Sequence, residues 1–274
     1  MTPTSTEDLP LWKKLVYALG QLGWSLGSYS VGYLLVYFYM PPEEGAQAVF
    51  APRIYQGPVL GIFTVIGIIL AAGRLFDAVS DPMIASWSDR NRSPFGRRRL
   101  FLAIAAVPFA ITAFLVFCPP VATQSAWNTA WLAVMVVAFY LFFTLYVTPF
   151  IAWLSELGHT PNERLFLSTL ISVTWALGAM IGSQAVALQA VLETHMTSMA
   201  AFQWVMALFC GISALFMLLP VICIQERRYC RVAPSSETTI EAIGSAFKNR
   251  NFRVFVFSDL AYWAALSFHS IGLL

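Results

Sequence analysis

Residues 73–102 read GRLFDAVSDPMIASWSDRNRSPFGRRRLFL. The first half sets Arg74, Asp77 and Asp81 into apolar sequence at spacings of three and four residues, so all three side chains share one face of a helix. The second half turns basic, with Arg90, Arg92, Arg97, Arg98 and Arg99 in ten residues. Counting back from Ser88 at a helical rise of about 1.5 Å per residue puts Asp81 about 10 Å and Asp77 about 16 Å inside the apolar segment. Ionisable groups at that depth in a spanning helix are costly and mark pathways for ions or substrate. Two carboxylates one turn apart also repel, unless a cation or Arg74 compensates. Pro82 has no backbone N–H, which frees the carbonyl of Ala78 between the two acids. Two carboxylates, that carbonyl and the Ser80 hydroxyl are oxygen donors of the kind a hard cation prefers. Two readings stay open: a cation or proton site, or a packing element in which Arg74 pairs with one aspartate.

The rest of the chain agrees with a membrane setting. Of 274 residues, 58% are apolar, 15% aromatic and only 11% charged, with a mean hydropathy of +0.69. Soluble domains carry about 25% charged residues, so a soluble, disordered or nucleic-acid-binding chain is excluded. Apolar stretches fall at 15–39, 57–88, 100–118, 127–155, 165–191, 200–224 and 252–274, each near the roughly 20 residues a spanning helix needs. They lack strand-like alternation, which favours helices over a barrel. Cys118, Cys210, Cys223 and Cys230 show no metal or disulfide spacing and read as apolar filler. The polar start, Met1–Pro10, is not a cleavable signal, and no lipidation motif occurs.

Basic residues orient the chain. Fourteen of the sixteen Lys and Arg lie before the first stretch, between the second and third, at the start of the fifth, or after the sixth. The intervening loops carry only Arg53, and Arg74 is intramembrane. The positive-inside rule then predicts a cytoplasmic N-terminus. The expected organisation is a six-helix bundle over 1–224, a cytoplasmic linker over 225–251 and a seventh helix over 252–274. A chain stopping there reads as truncated from twelve helices, as a transporter with two six-helix halves would begin.

Enzyme readings fare worse. Gly73, Asp77 and Asp81 match half of the metal motif of CDP-alcohol phosphotransferases, but residues 57–72 contain no acid to supply the other half. An intramembrane aspartyl protease needs its two aspartates on different helices. No catalytic residues and no cofactor are expected beyond a coupling Na+ or H+.

The 73–102 run resembles the glycoside–pentoside–hexuronide:cation symporters of the major facilitator superfamily. TPFIAWLSELGHTPNERLFLST (148–169) and, more loosely, KLVYALGQLGW (14–24) extend the resemblance. It implies twelve helices, alternating access and a central cavity. The family's sodium site falls on Asp77, Ser80, Asp81 and Thr144; the spacing of Arg74 to the two acids makes it the expected charge partner. Asp89, Arg90, Gly96, Arg97 and Arg98 resemble the superfamily's conformational latch, which Glu156, His159, Glu163 and Arg164 would extend. The sugar site does not carry over: its charged positions land on Ser25, Val147 and Ser172, so galactoside recognition is not expected. Cavity candidates on this half are Ser25, Tyr29, Tyr33, Thr148, Trp175 and Asp259, the last set equally to line the cavity or to pair with the basic loop. Trp24, Tyr140 and Trp153 are further candidates for stacking on a sugar. The resemblance implies a small-molecule substrate, a sugar or glycoside. A lysolipid-like solute, or a truncated chain that transports nothing, is the alternative. No nucleic-acid partner is expected.

The orientation is testable with single cysteines in a background lacking the native four. Gln47→Cys and Gln124→Cys should react with an impermeant thiol reagent applied outside, and Ser93→Cys and Ser236→Cys should not. The opposite pattern would reverse the topology.

Overall fold

The computed structural model describes residues 7–40, 43–44, 47–48, 50–59, 63–230, 244, 248–259 and 261. Two compact units divide the chain, Met1–Ala233 and Pro234–Leu274. The first holds α1 (Leu11–Tyr29), continued through one π turn at Ser30–Leu34 into α2 (Leu35–Tyr39), then a two-residue hairpin of β1 (Glu43–Glu44) and β2 (Gln47–Ala48). After it come α3 (Val65–Arg90), α4 (Arg99–Leu115), α5 (Ala126–Leu157), α6 (Pro161–Gly182), α7 (Ala185–Leu192), α8 (Ser198–Cys223) and α9 (Glu226–Tyr229). In the second unit, residues 250–259 are helical; most of the predicted seventh helix lies outside the described residues.

Among the described residues, three spans are long and apolar enough to cross a membrane: Ala126–Leu157, Pro161–Leu192 and Ser198–Cys223, with Arg99–Leu115 a shorter apolar helix. The chain is a helical membrane protein. Helix boundaries differ from the apolar runs where capping chemistry intervenes. The second run was expected from residue 57, but α3 starts at Val65, because Thr64 accepts a hydrogen bond from the Gly67 amide and Val59 pairs with Phe63 just upstream. α6 begins four residues before its apolar run, on a capping box in which Thr160 and Glu163 bond each other's backbone amides. Residues 225–230, the start of the expected linker, pack with the helices of the first unit.

Packing follows from small residues on α1. A membrane offers no hydrophobic drive between helices, so close backbone approach must supply the contact. α1 packs on α8 along Gly20, Gly23 and Gly27. The Ser213 hydroxyl on α8 donates to the Gly23 carbonyl at 2.6 Å. On another face, Gly178 and Gly182 of α6 meet Ser25 and Tyr29 of α1. α5 packs against both α3 and α4. Tyr17 joins α1 to α5: its ring stacks on Phe150 at 4.3 Å and its hydroxyl donates to the Phe150 carbonyl at 2.7 Å.

A Cβ at Gly23 would lie 2.8 Å from the Ser213 carbonyl oxygen and 2.9 Å from the Met217 amide, both backbone atoms that cannot swing away. Gly23→Ala should therefore cost about 1–3 kcal/mol. Gly211, also helical, has nothing within 4 Å of an added Cβ, so Gly211→Ala should hold or raise stability. Thermal unfolding in detergent compares them; equal effects would show that α1 and α8 do not approach closely at Gly23.

Candidate cation site and the charge network at the basic end

α3 presents its acids to hydroxyls on α5. The Thr144 hydroxyl, fully buried, donates to Asp77 Oδ1. One turn along, the Thr148 hydroxyl donates to Asp81 Oδ1 at 2.7 Å. Ser80, 7% exposed, donates to the Asp77 carbonyl at 3.1 Å and lies 3.4 Å from Thr144 Oγ1. Asp77, Ser80 and Thr144 thus meet at one point, with Asp81 on the adjacent turn. Arg74, expected as charge partner, instead sits over the Tyr140 ring at 5.3 Å. Among the described residues it makes no ion pair with either carboxylate. Neutral hydroxyls orient the carboxylates, and the Arg74 charge acts on Asp77 only from beyond ion-pair distance. The oxygen set suits a hard monovalent cation, or a proton.

The cavity candidates separate by burial. Ser25 is 2% exposed; its hydroxyl donates to the Leu22 carbonyl and it is pressed against Gly178, so it lines no open surface here. Val147 is likewise buried. Trp24 packs edge-on to Phe143, Tyr140 against Gly73, and Trp153 on Tyr17, so these three serve packing rather than stacking on a solute. Tyr33 and Trp175 are exposed, Tyr29 is partly buried and stacks on Tyr33 at 4.7 Å beside the π turn, and Ser172 is exposed. Asp259 is exposed within the second unit.

At the basic end the expected latch residues converge on one acid. Glu156 of α5 accepts from both Arg97 and Arg98, and Arg98 also bonds Asp89 at 2.9 Å. Arg90 stays exposed, without an ion pair among the described residues. Gly96 turns the chain at φ 126°, a conformation that favours glycine, and a Cβ there would also strike Glu226. Glu226, 2% exposed, was not singled out in the sequence. Its carboxylate accepts from the Arg98 and Arg99 amides at about 3.0 Å, closing the N-terminus of α4 where a negative charge is favoured. An acid opening an arginine-rich loop is a weak signal, because many such acids are solvated. Lys14 pairs with Glu163 at 3.0 Å, Arg164 bonds the Gly158 carbonyl, and His159 lies between Asp8 and the Tyr229 carbonyl. Trp153 donates to Cys230, whose thiol burial pushes well above its ordinary value.

The profile of the MFS/sugar transport protein family matches residues 16–274. The chain belongs to that family. Relatives named as symporters or transporters include the isoprimeverose transporter of Lactiplantibacillus pentosus, 24% identical over 75% of this chain and 43% of that protein. An uncharacterized symporter of Synechocystis sp. is 29% identical over 60% of this chain and 28% of that protein. The inner membrane symporter YicJ of Escherichia coli is 25% identical over 43% of this chain and 25% of that protein. The chain spans less than half the length of these curated relatives. A family of sugar transporters accounts for the membrane-spanning helices and for acids placed among them, and these relatives are transporters rather than enzymes.

Removing Glu226 leaves two backbone amides of this family member, one buried and one part-buried, without their acceptor. Glu226→Ala should lower stability by about 1–3 kcal/mol. Glu226→Gln, which keeps an acceptor but not the charge, should recover part of that loss. Melting curves of the two variants decide it, and a fully neutral Glu226→Ala would show that the cap contributes nothing.

Proposed function

We propose that this chain is part of a cation-coupled symporter that moves a sugar or glycoside by alternating access. Its N-terminus and basic end face the cytoplasm. Residues 1–224 form the six-helix amino-terminal half of a twelve-helix transporter, 225–251 the link between halves, and 252–274 the start of the second half. One observation carries the coupling reading. Asp77 and Asp81 stand on one face of a helix among the membrane spans, each bonded to a hydroxyl, and neither is ion-paired with Arg74. Two carboxylates without a direct ion pair on a helix packed among apolar spans are costly, and a bound Na+ or proton offsets the cost. A site that is more stable occupied than empty ties the carrier's conformations to the ion.

A glycoside is supported by the family and by the isoprimeverose transporter among the relatives. Ser25 and Val147, where the family resemblance expects charged sugar contacts, are uncharged and buried, which argues against a melibiose-type galactoside. The charge balance at the basic end supports a latch: Asp89 and Glu156 hold Arg97 and Arg98 and can release them as the halves rearrange.

The test is uptake of radiolabelled isoprimeverose into cells expressing the protein, with and without imposed Na+ and proton gradients. Asp77→Asn and Asp81→Asn should each abolish cation-stimulated uptake. Melting temperature should hold or rise, because the change relieves both repulsion and the burial cost of a charge. Unchanged cation dependence in either variant would move the site elsewhere. Unfolding of both would return the aspartates to a purely structural role.

A further inference from the structure

The two hydrogen bonds from α5 to α3 keep one offset. Asp77 to Thr144 and Asp81 to Thr148 are both separations of 67 residues. Two rungs stepping the same way along both helices mean that α3 and α5 run parallel and in register. The same offset relates Gly73 to the Tyr140 ring packed against it, which brings the helices close just before the first rung. It also relates Pro82 to Pro149, each inside its helix. The local sequences are therefore matched: DAVSDP at 77–82 faces TLYVTP at 144–149. Each helix carries a polar residue, a second one turn later and a proline immediately after it. Each proline frees the carbonyl four residues before it, Ala78 on α3 and Leu145 on α5. Both freed carbonyls fall between the two rungs of their own helix.

We propose that Thr148 is a cation-site residue that positions Asp81, so that the site consists of two rungs shared by α3 and α5 rather than of the Asp77 cluster alone. This rests on the cation reading above. An oriented carboxylate with one oxygen held by a hydroxyl keeps the other free for the ion. Without Thr148, Asp81 would have to find another donor or turn away, since nothing else among the described residues donates to it at hydrogen-bond distance. The donated bond goes to a charged acceptor, the stronger kind. Thr148 therefore acts through Asp81, and its removal should weaken ion binding more than it weakens the fold.

The experiment follows the melting temperature of the purified full chain in lipid nanodiscs as NaCl is titrated at constant ionic strength, with LiCl and pH series alongside. Thr148→Val keeps the shape and loses the donor; Thr148→Ser keeps the donor. Thr148→Val should raise the sodium midpoint about tenfold, equivalent to about 1.4 kcal/mol, and Thr148→Ser should restore it. In an Asp81→Asn background, Thr148→Val should make no further difference. Thr148→Ala serves as a second variant lacking the donor should the valine fail to fold. A Thr148→Val or Thr148→Ala protein that melts lower without sodium but titrates at the wild-type midpoint would overturn the proposal and leave a structural threonine. A wild-type protein that responds to none of Na+, Li+ or pH would overturn the cation reading itself, and this proposal with it.

Discussion

A carboxylate set into an apolar helix draws hydrogen-bond donors or a counterion from its neighbours, and α3 carries two of them one turn apart. α5 supplies a hydroxyl to each, at Thr144 and Thr148. That arrangement requires α5 to lie parallel to α3, close to it and in a single register, because a shift of one residue on a helix rotates the partner by about 100°. Gly73 permits the close approach and Tyr140 fills the space it leaves. The rest of the bundle holds this pair at a fixed separation. α4 and α1 pack along α5, and α8 closes against α1 through its backbone at Gly23 and the Pro220 ring at Gly20.

The basic end works by the same economy of charge. Glu156, on the helix that supplies the two threonines, gathers Arg97 and Arg98, while Asp89, at the end of the helix that supplies the two aspartates, takes the other side of Arg98. The α3–α5 pair is thus tied twice, by neutral hydroxyls among the spans and by ion pairs at the end. The two ties differ in kind. Hydroxyl bonds bring no charge of their own to the carboxylates, whereas each ion pair sets a carboxylate against a guanidinium. Glu226 adds a fixed element by closing the start of α4, and the Gly96 turn brings that start under it.

Much of this was legible along the chain. Asp77, Ser80 and Asp81 stand out because charge in an apolar stretch is rare, and their common face follows from helical spacing. Asp89, Arg97 and Arg98 stand out by motif and by charge. Arg74 was marked by its spacing to the acids; the structure sets it over the Tyr140 ring, where its charge acts on Asp77 without a direct ion pair. Ser25 and Trp24 misled. A polar or aromatic residue on a membrane helix reads as cavity-facing until the neighbouring helix is placed over it, here Gly178 of α6 and Phe143 of α5. Thr148 looked like a cavity hydroxyl, and nothing in its own segment connects it with Asp81. Glu226 carried only the weak signal of an acid before two arginines.

Composition, apolar run lengths and helical period are local properties, and they determined that this is a helical membrane protein with an acid pair on one face of its second apolar segment. They also grouped most basic residues into alternate loops, the pattern that the positive-inside rule turns into an expected orientation. Which hydroxyl meets which carboxylate was decided only by tertiary structure. A helix of known sequence can present any of several faces to any of several neighbours at any register. The choice is made by side chains far apart in the chain: Gly73 against Tyr140, Gly23 against Ser213, and Thr144 and Thr148 against the two aspartates.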